Sequence, residues 1–407
     1  MPTRAEIAPN LARVSVLAFL VLFSYGFARS TIESLFLGAH GSEGLPGAWL
    51  LVAAVMTVVV MRHGRRAGVE DLGVLLARGC AWSAATLLAG ILLHRFDVPY
   101  ANYALYVWKD VHVVVLLETV WSLANVVFRT STARWVYGLF CVFGSLGDFS
   151  GNLIVGRLAE SLGTQALLWA PVPILGVTGA LSLWFRRHAT AIAPPPQKGK
   201  IDDPWVAFRV LRRSDYLPWL LGMILLVQIV ITLIDYEYNA ILESAFADQD
   251  ERTRVIGDVY AAIAIGAAAL QVLSGPVLRF LGVGSVLVGV PSLLGASLLL
   301  VIIHPAIAFA MATKVMSKTF DYSIFRVAKE MLYIPLDYEE KTRGKALVDM
   351  LTYRVAKGGA SLLLLGLVSV GATALVAELA VVLTALWAFF AVVIYVRYRK
   401  RILSVPP

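Results

Sequence analysis

Lys314, Lys318, Asp321, Phe325 and Lys329 follow one another at steps of four, three, four and four. On an α-helix those steps bring the side chains to one face. Lys314 and Lys318 stand one turn apart inside a strongly apolar stretch. Two ammonium groups so placed repel each other unless an anion or an acidic side chain lies between them. The chemistry they suit is recognition of a phosphate or carboxylate. Two plainer arrangements compete: an ion pair between Lys318 and Asp321 three residues on, or extension of the lysine stems toward an aqueous interface.

Further charges interrupt other apolar runs. Lys109, Asp110 and His112 share one such run; Lys109 and Asp110 point about 100° apart on a helix of 3.6 residues per turn, so they need not pair. His112 reads as a hydrogen-bonded core or pore residue, or as a proton carrier. Arg29 and Glu33 lie four apart, either as an intrahelical pair or with Arg29 turned into a cavity as a bidentate anion clamp. Asp235 and Glu237 are polar partners for another group or carriers of a coupling proton. Asp148 and Lys357 hold matching positions in the two halves of the chain and are expected to form a salt bridge that opens and closes. Lys329 and Glu330, nearer a helix end, are expected at a gate or in a loop ion pair. Burying such charges within a bilayer is costly, and they are usually kept for a substrate path.

The elements that must carry these residues are transmembrane helices. Of the 407 residues 59% are hydrophobic and 15% charged, against about a quarter charged in soluble domains, and the mean hydropathy is +0.76. Apolar runs of roughly 20 residues recur, each long enough to cross about 30 Å of hydrocarbon. The period-two alternation of a membrane barrel is absent. Twelve helices are expected, at 12–37, 45–61, 73–93, 103–128, 133–158, 165–185, 217–242, 254–275, 283–303, 305–333, 343–367 and 372–396. Gly144, Gly147 and Gly151 in the fifth are small enough to admit a close neighbour. The first apolar run lacks a small-residue cleavage site and reads as a helix, not a removed signal peptide.

The net charge of +8 gathers in alternate loops and in the C-terminal tail, which places both termini in the cytoplasm. Residues 188–216 form the longest polar interval, and Pro194, Pro195 and Pro196 predict a stiff linker there. It divides the chain into bundles over 1–187 and 217–407, six helices each. Shifted by 209 residues, Lys109 falls on Lys318 and Asp148 on Lys357, as in a duplicated bundle. The layout is similar to the major facilitator superfamily, whose halves are parallel repeats about an axis along the membrane normal.

Cys80 and Cys141 sit in apolar segments and suit neither a disulfide framework nor a zinc site. No metal cluster, nucleotide-hydrolysing P-loop, catalytic constellation or nucleic-acid module is present in the sequence. No enzyme activity, cofactor or nucleic-acid partner is therefore expected.

The segment Tyr322-Ser-Ile-Phe-Arg-Val-Ala-Lys-Glu-Met-Leu-Tyr-Ile-Pro-Leu336, with Glu340-Lys-Thr-Arg-Gly-Lys-Ala346 and then Asp349, Arg354 and Lys357, closely resembles the ATP/ADP translocase family of plastids and intracellular bacteria. Tyr106-Val-Trp108, Trp121-Ser-Leu-Ala-Asn125 and Gly144-Ser-Leu-Gly147 look similar, less specifically. The resemblance implies a major-facilitator-type transporter that exchanges nucleotides without hydrolysing them, working as a monomer in a bacterial inner membrane. Lys314, Lys318, Lys109, Arg29 and Asp321 are the expected substrate contacts; Asp148, Lys357, Arg354, Lys329 and Glu330 the expected gates. A proton-coupled transporter of another solute, using Asp235, Glu237 or His112, is the alternative. A membrane sensor or scaffold without transport is the alternative from a different class.

Overall fold

The computed structural model describes residues 4–67, 69–127, 130–188, 204–337, 339–345, 348 and 355–404. Its helices are α1 Arg4–His40, α2 Leu45–Ala67, α3 Leu72–Arg95, α4 Ala101–Val127, α5 Thr130–Leu162, α6 Thr164–Leu167 and α7 Pro171–His188, followed by α8 Pro204–Arg213, α9 Leu217–Ala245, α10 Gln249–Ile303, α11 Ile307–Tyr322, α12 Ile324–Met331, α13 Lys357–Ser369 and α14 Val376–Ser404. Among the described residues, eight helices are long and apolar enough to cross a membrane, so the chain is a multi-pass membrane protein. The expected count of twelve is not reached by that measure: α5, α11 with α12, and α13 are not among the eight, and two expected helices are joined as α10.

Three expected helices are not continuous. The run 165–185 is split after Leu167, and α7 restarts at Pro171, where a proline's missing N–H is tolerated in the first turn. The run 305–333 breaks at Ser323, whose backbone sits at φ −124° and ψ −105° between α11 and α12. The run 343–367 falls partly outside the described residues, which hold its end as α13. Conversely, two expected helices appear as the single element α10, bent at Gly282, where φ is +77°. A left-handed backbone there favours a residue without a Cβ. Pro194–Pro196 lie outside the described residues, while the later part of the polar interval is helical as α8.

Two compact units emerge. One holds α1, α2 from Leu51, α3 to α7 and the start of α10 as far as Ile265; the other holds Ser42–Leu50, α9, α10 from Gly266, and α11 to α14. In the first, α1 and α5 touch at backbone distance. A Cβ on Gly147 would collide with the Phe19 carbonyl oxygen, and one on Gly151 with that of Phe23. This is the close approach that the glycine spacing predicts. The start of α10 crosses α5 as tightly, with Gly257 against the Asn152 carbonyl. Asp250 accepts the Thr164 N–H at 2.6 Å and the Gln249 carbonyl accepts the Ser34 hydroxyl at 2.7 Å, which fastens that end of α10 to α6 and α1.

In the second unit α9 packs on α11 and α14. Gly266 of α10 lies against the Thr319 side chain of α11. The carbonyl of Tyr322, freed by the break at Ser323, accepts a hydrogen bond from Gln271 Nε2 at 2.9 Å. A broken helix within a membrane needs such a replacement donor.

The glycine contacts give the first test. Gly147→Val must push the α1 backbone away and is expected to cost about 1–3 kcal/mol. Gly176→Ala, with nothing within 4 Å of the new methyl, is expected to be neutral or stabilising, since alanine suits a helix better. Thermal unfolding of the detergent-purified variants separates the two; equal melting temperatures would contradict the packing described.

Candidate functional site

Buried charge gathers in two places, one in each unit. In the second unit α9 supplies Asp235 and α11 supplies Lys314 and Lys318. The carboxylate bridges both cations, with Oδ1 2.6 Å from Lys314 Nζ and Oδ2 2.7 Å from Lys318 Nζ. The four-residue step on α11 puts the two ammonium groups on one face, and α9 presents one acid to both. The side chain of Lys314 is 2% exposed, those of Lys318 and Asp235 15% and 19%. The inner cation is thus sealed while the outer pair reaches open space. Lys314 also stands 5.1 Å from the centre of the Tyr238 ring, within cation–π range.

Of the competing arrangements, the Lys318–Asp321 ion pair does not form; Lys318 uses the acid of α9 instead. The shared face ends with α11. Beyond the break, Phe325 turns into the core and meets Trp387 edge-on at 5.3 Å. Lys329 makes no ion pair among the described residues, whereas Glu330 pairs with Lys345 at 2.5 Å. Glu237 is half-buried and makes no ion pair among the described residues. Lys357 opens α13, in the second unit. Arg354, like Asp349, lies outside the described residues.

In the first unit α1, α4 and α5 converge with the start of α10. Arg29 donates to Asp148 at 2.8 Å. Its guanidinium lies 3.6 Å from the centre of the Tyr260 ring and 4.7 Å from that of Tyr25. Asp148 also accepts from Asn152 Nδ2 at 2.9 Å, and Asn152 Oδ1 accepts from Ser30 at 2.9 Å. Lys109, 2% exposed, pairs with Asp110 at 2.9 Å and with Glu33 at 3.2 Å. Tyr260 donates to Glu33 at 3.3 Å, and the Tyr106 ring lies 4.0 Å from Lys109 Nζ.

Two points that the sequence leaves open are resolved here. Arg29 and Glu33 are not an intrahelical pair; each takes a partner from another helix. Lys109 and Asp110 do pair, because the four-carbon lysine stem spans the angle that separates their Cα–Cβ bonds. Asp148 is held by Arg29 in this structure, within the first unit. His112 is buried, stacked on Trp108 with ring centres 4.0 Å apart, and bonded through Nδ1 to the Trp108 carbonyl at 3.2 Å; Nε2 has no hydrogen-bond partner among the described residues. Since a carbonyl can only accept, Nδ1 is the donor there.

Sequence reasoning missed several groups. Tyr25 and Tyr106, one turn or less before Arg29 and Lys109, were legible as spacing. Tyr260 was not, since it arrives on a helix far from Arg29 in the chain. A second missed cluster ties α14 to the α8–α9 corner: Arg401 reaches Glu340 at 2.6 Å and Asp215 at 2.5 Å, and Ser214 donates to Glu340 at 2.5 Å. The hydrogen bond from Arg401 is the main reason that the Asp215 carboxyl sits below its ordinary range. What that pair contributes is present above the ordinary carboxylate range and lost as pH falls through the lowered value.

Residues 288–400, which include both lysines of the second cluster, match the model of the TLC ATP/ADP transporter family. "ADP,ATP carrier protein 1" of Chlamydia muridarum is 26% identical over 314 residues, covering 66% of this chain and 58% of that protein. "ADP,ATP carrier protein 1" of Chlamydia pneumoniae is 25% identical over 456 residues, covering 91% and 87%. The chain is thus similar to ATP/ADP carriers, with the family model matched over residues 288–400. It spans less than two thirds of the length of several such relatives; of the chloroplastic "ADP,ATP carrier protein 1" of Arabidopsis thaliana, 24% identical over 63% of this chain, the match covers 46%. Among solved structures, that of a point mutant of the nucleoside transporter NupG superposes with a TM-score of 0.74 at 12% identity, over 95% of this chain and all of that one. The POT family transporter PepTSo superposes with a TM-score of 0.67 at 13% identity, over 98% and 99%. The fold is that of the major facilitator transporters.

The first cluster predicts its own test. Asp148→Ala leaves Arg29 buried without its carboxylate, a loss of about 3–5 kcal/mol by analogy with broken buried pairs. Asp148→Ala combined with Arg29→Met is expected to recover part of that loss. A double mutant no more stable than Asp148→Ala would show that the two side chains are not coupled.

Proposed function

We propose that this chain is a secondary transporter that carries a nucleotide, or another phosphorylated or organic anion, across the bacterial inner membrane by antiport. The observation that carries this reading is the second cluster. Two ammonium groups share one carboxylate in a buried setting, and Lys318 and Asp235 remain partly open. The two lysines lie in the segment that matches the transporter family, and related proteins bear the name ADP,ATP carrier. An anion with two oxygens on one atom, as in a phosphoryl group, can take up the same fork of donors. Alternating access would come from rocking of two six-helix halves, 1–187 and 217–407, joined by 188–216, with both termini cytoplasmic and one copy sufficing. Asp321 follows Lys318 by three residues on α11.

Labelled ADP uptake into proteoliposomes preloaded with ATP tests this reading. Lys318→Gln is expected to reduce exchange at least tenfold while the protein remains folded. Unchanged exchange in that variant, or exchange independent of internal nucleotide, would reject it.

The proton-coupled alternative is favoured by one observation: Glu237 is a half-buried carboxyl on α9 that makes no ion pair among the described residues. Under antiport, Glu237→Gln leaves the exchange rate and its pH profile unchanged. Under proton coupling it abolishes net accumulation and flattens that profile.

A further inference from the structure

We infer that Asp235 is an internal substitute for the substrate anion: it holds Lys314 and Lys318 while the site is empty and must let go of them when an anion binds. The inference rests on the transporter reading above and concerns the same lysines. Its basis is the form of the contact. An acid that only balances a buried cation needs a single partner, as Asp148 has in Arg29. Asp235 instead divides its two oxygens between two cations, at 2.6 and 2.7 Å. A phosphoryl or carboxylate group of a ligand would make that same bridge.

A doubly charged phosphoryl group added between the lysines without displacement sets it beside the Asp235 carboxylate, and two anions side by side raise the cost. With Asp235 turned away, that repulsion is relieved. Room for that movement exists on the correct side, since Asp235 and Lys318 are partly exposed and Lys314 is not. The bound anion therefore competes with Asp235, and the measured affinity is lowered by that competition. The arrangement also favours exchange over leak. Releasing one anion from the lysines is easy when another, internal or external, takes its place.

Inorganic pyrophosphate is the probe, because it tests the lysines without presuming a base or sugar. Calorimetric titration of the purified full-length protein is expected to show Asp235→Asn binding pyrophosphate at least tenfold more tightly than wild type, with Asp235→Glu close to wild type. In proteoliposomes, Asp235→Asn is expected to exchange more slowly, since its anion leaves more slowly. Equal or weaker pyrophosphate binding by folded Asp235→Asn would overturn the inference and assign Asp235 a purely structural role. If Asp235→Asn does not fold, the charge-balanced Asp235→Asn/Lys314→Gln tests the same point: Lys318 then lacks its carboxylate, so pyrophosphate binding at or above wild type supports displacement and loss of binding overturns it. The nucleotide reading fails separately. If ATP and ADP bind no better than pyrophosphate to wild type and to Asp235→Asn, the substrate assignment falls while the competition by Asp235 stands or falls on the pyrophosphate comparison alone.

Discussion

A cation inside a chain this apolar must find its counter-charge within the protein, because lipid and packed side chains offer none. That constraint organises both units. Lys109, Arg29 and Lys314 are each almost sealed from solvent, and each is met by a carboxylate from a neighbouring side chain and by an aromatic ring. Desolvation of an ion costs several kcal/mol, and its recovery requires good geometry with further hydrogen bonds. The helices that supply those partners are therefore fixed relative to one another more narrowly than apolar packing alone would fix them. The α1–α5 contact shows both effects together. Glycines let the backbones approach, and the approach brings Arg29 to Asp148 and Ser30 to Asn152.

The break at Ser323 follows from the same economy. A continuous helix over 305–333 would have carried Phe325 and Lys329 along the face of Lys314, Lys318 and Asp321. The break ends that face after Tyr322 and turns Phe325 into the core instead. Backbone groups released at a break cannot be left bare in a membrane. Gln271 answers the Tyr322 carbonyl from α10, and the Ser323 hydroxyl bonds back to the Thr319 carbonyl. The stretch that most resembles the translocase family is thus also the stretch where the helix departs from regular geometry.

Helix existence and the charged positions were legible in the sequence, because both rest on local signals: apolar length, glycine spacing, and ions placed where apolar residues are the rule. The partners were not legible. Periodicity predicts which residues share a face of one helix and says nothing of which acid a second helix will offer. Hence Lys318 was open between Asp321 and a ligand, and the actual partner, Asp235, stood out only as a polar partner for some other group or a proton carrier. Arg29 and Glu33 satisfied the four-residue rule for an intrahelical pair and still parted. In each case a tertiary contact with better burial outcompeted the local one, since an i,i+4 pair is worth only about 0.2–0.5 kcal/mol. The bend at Gly282 and the join of two expected helices were likewise hidden, because a glycine within an apolar run permits a turn without requiring one.

The two clusters differ in a way that bears on their roles. In the first, Arg29 and Lys109 face Glu33, Asp110 and Asp148, so acids outnumber cations and each cation is also covered by a tyrosine ring. Such a cluster is closed to an anion unless several contacts rearrange together. In the second, cations outnumber the acid that bridges them, and the bridging acid and one lysine are open at one side. The second cluster, on α9 and α11, is the one with an open side, whereas the contacts of the first hold α1, α4 and α5 in register.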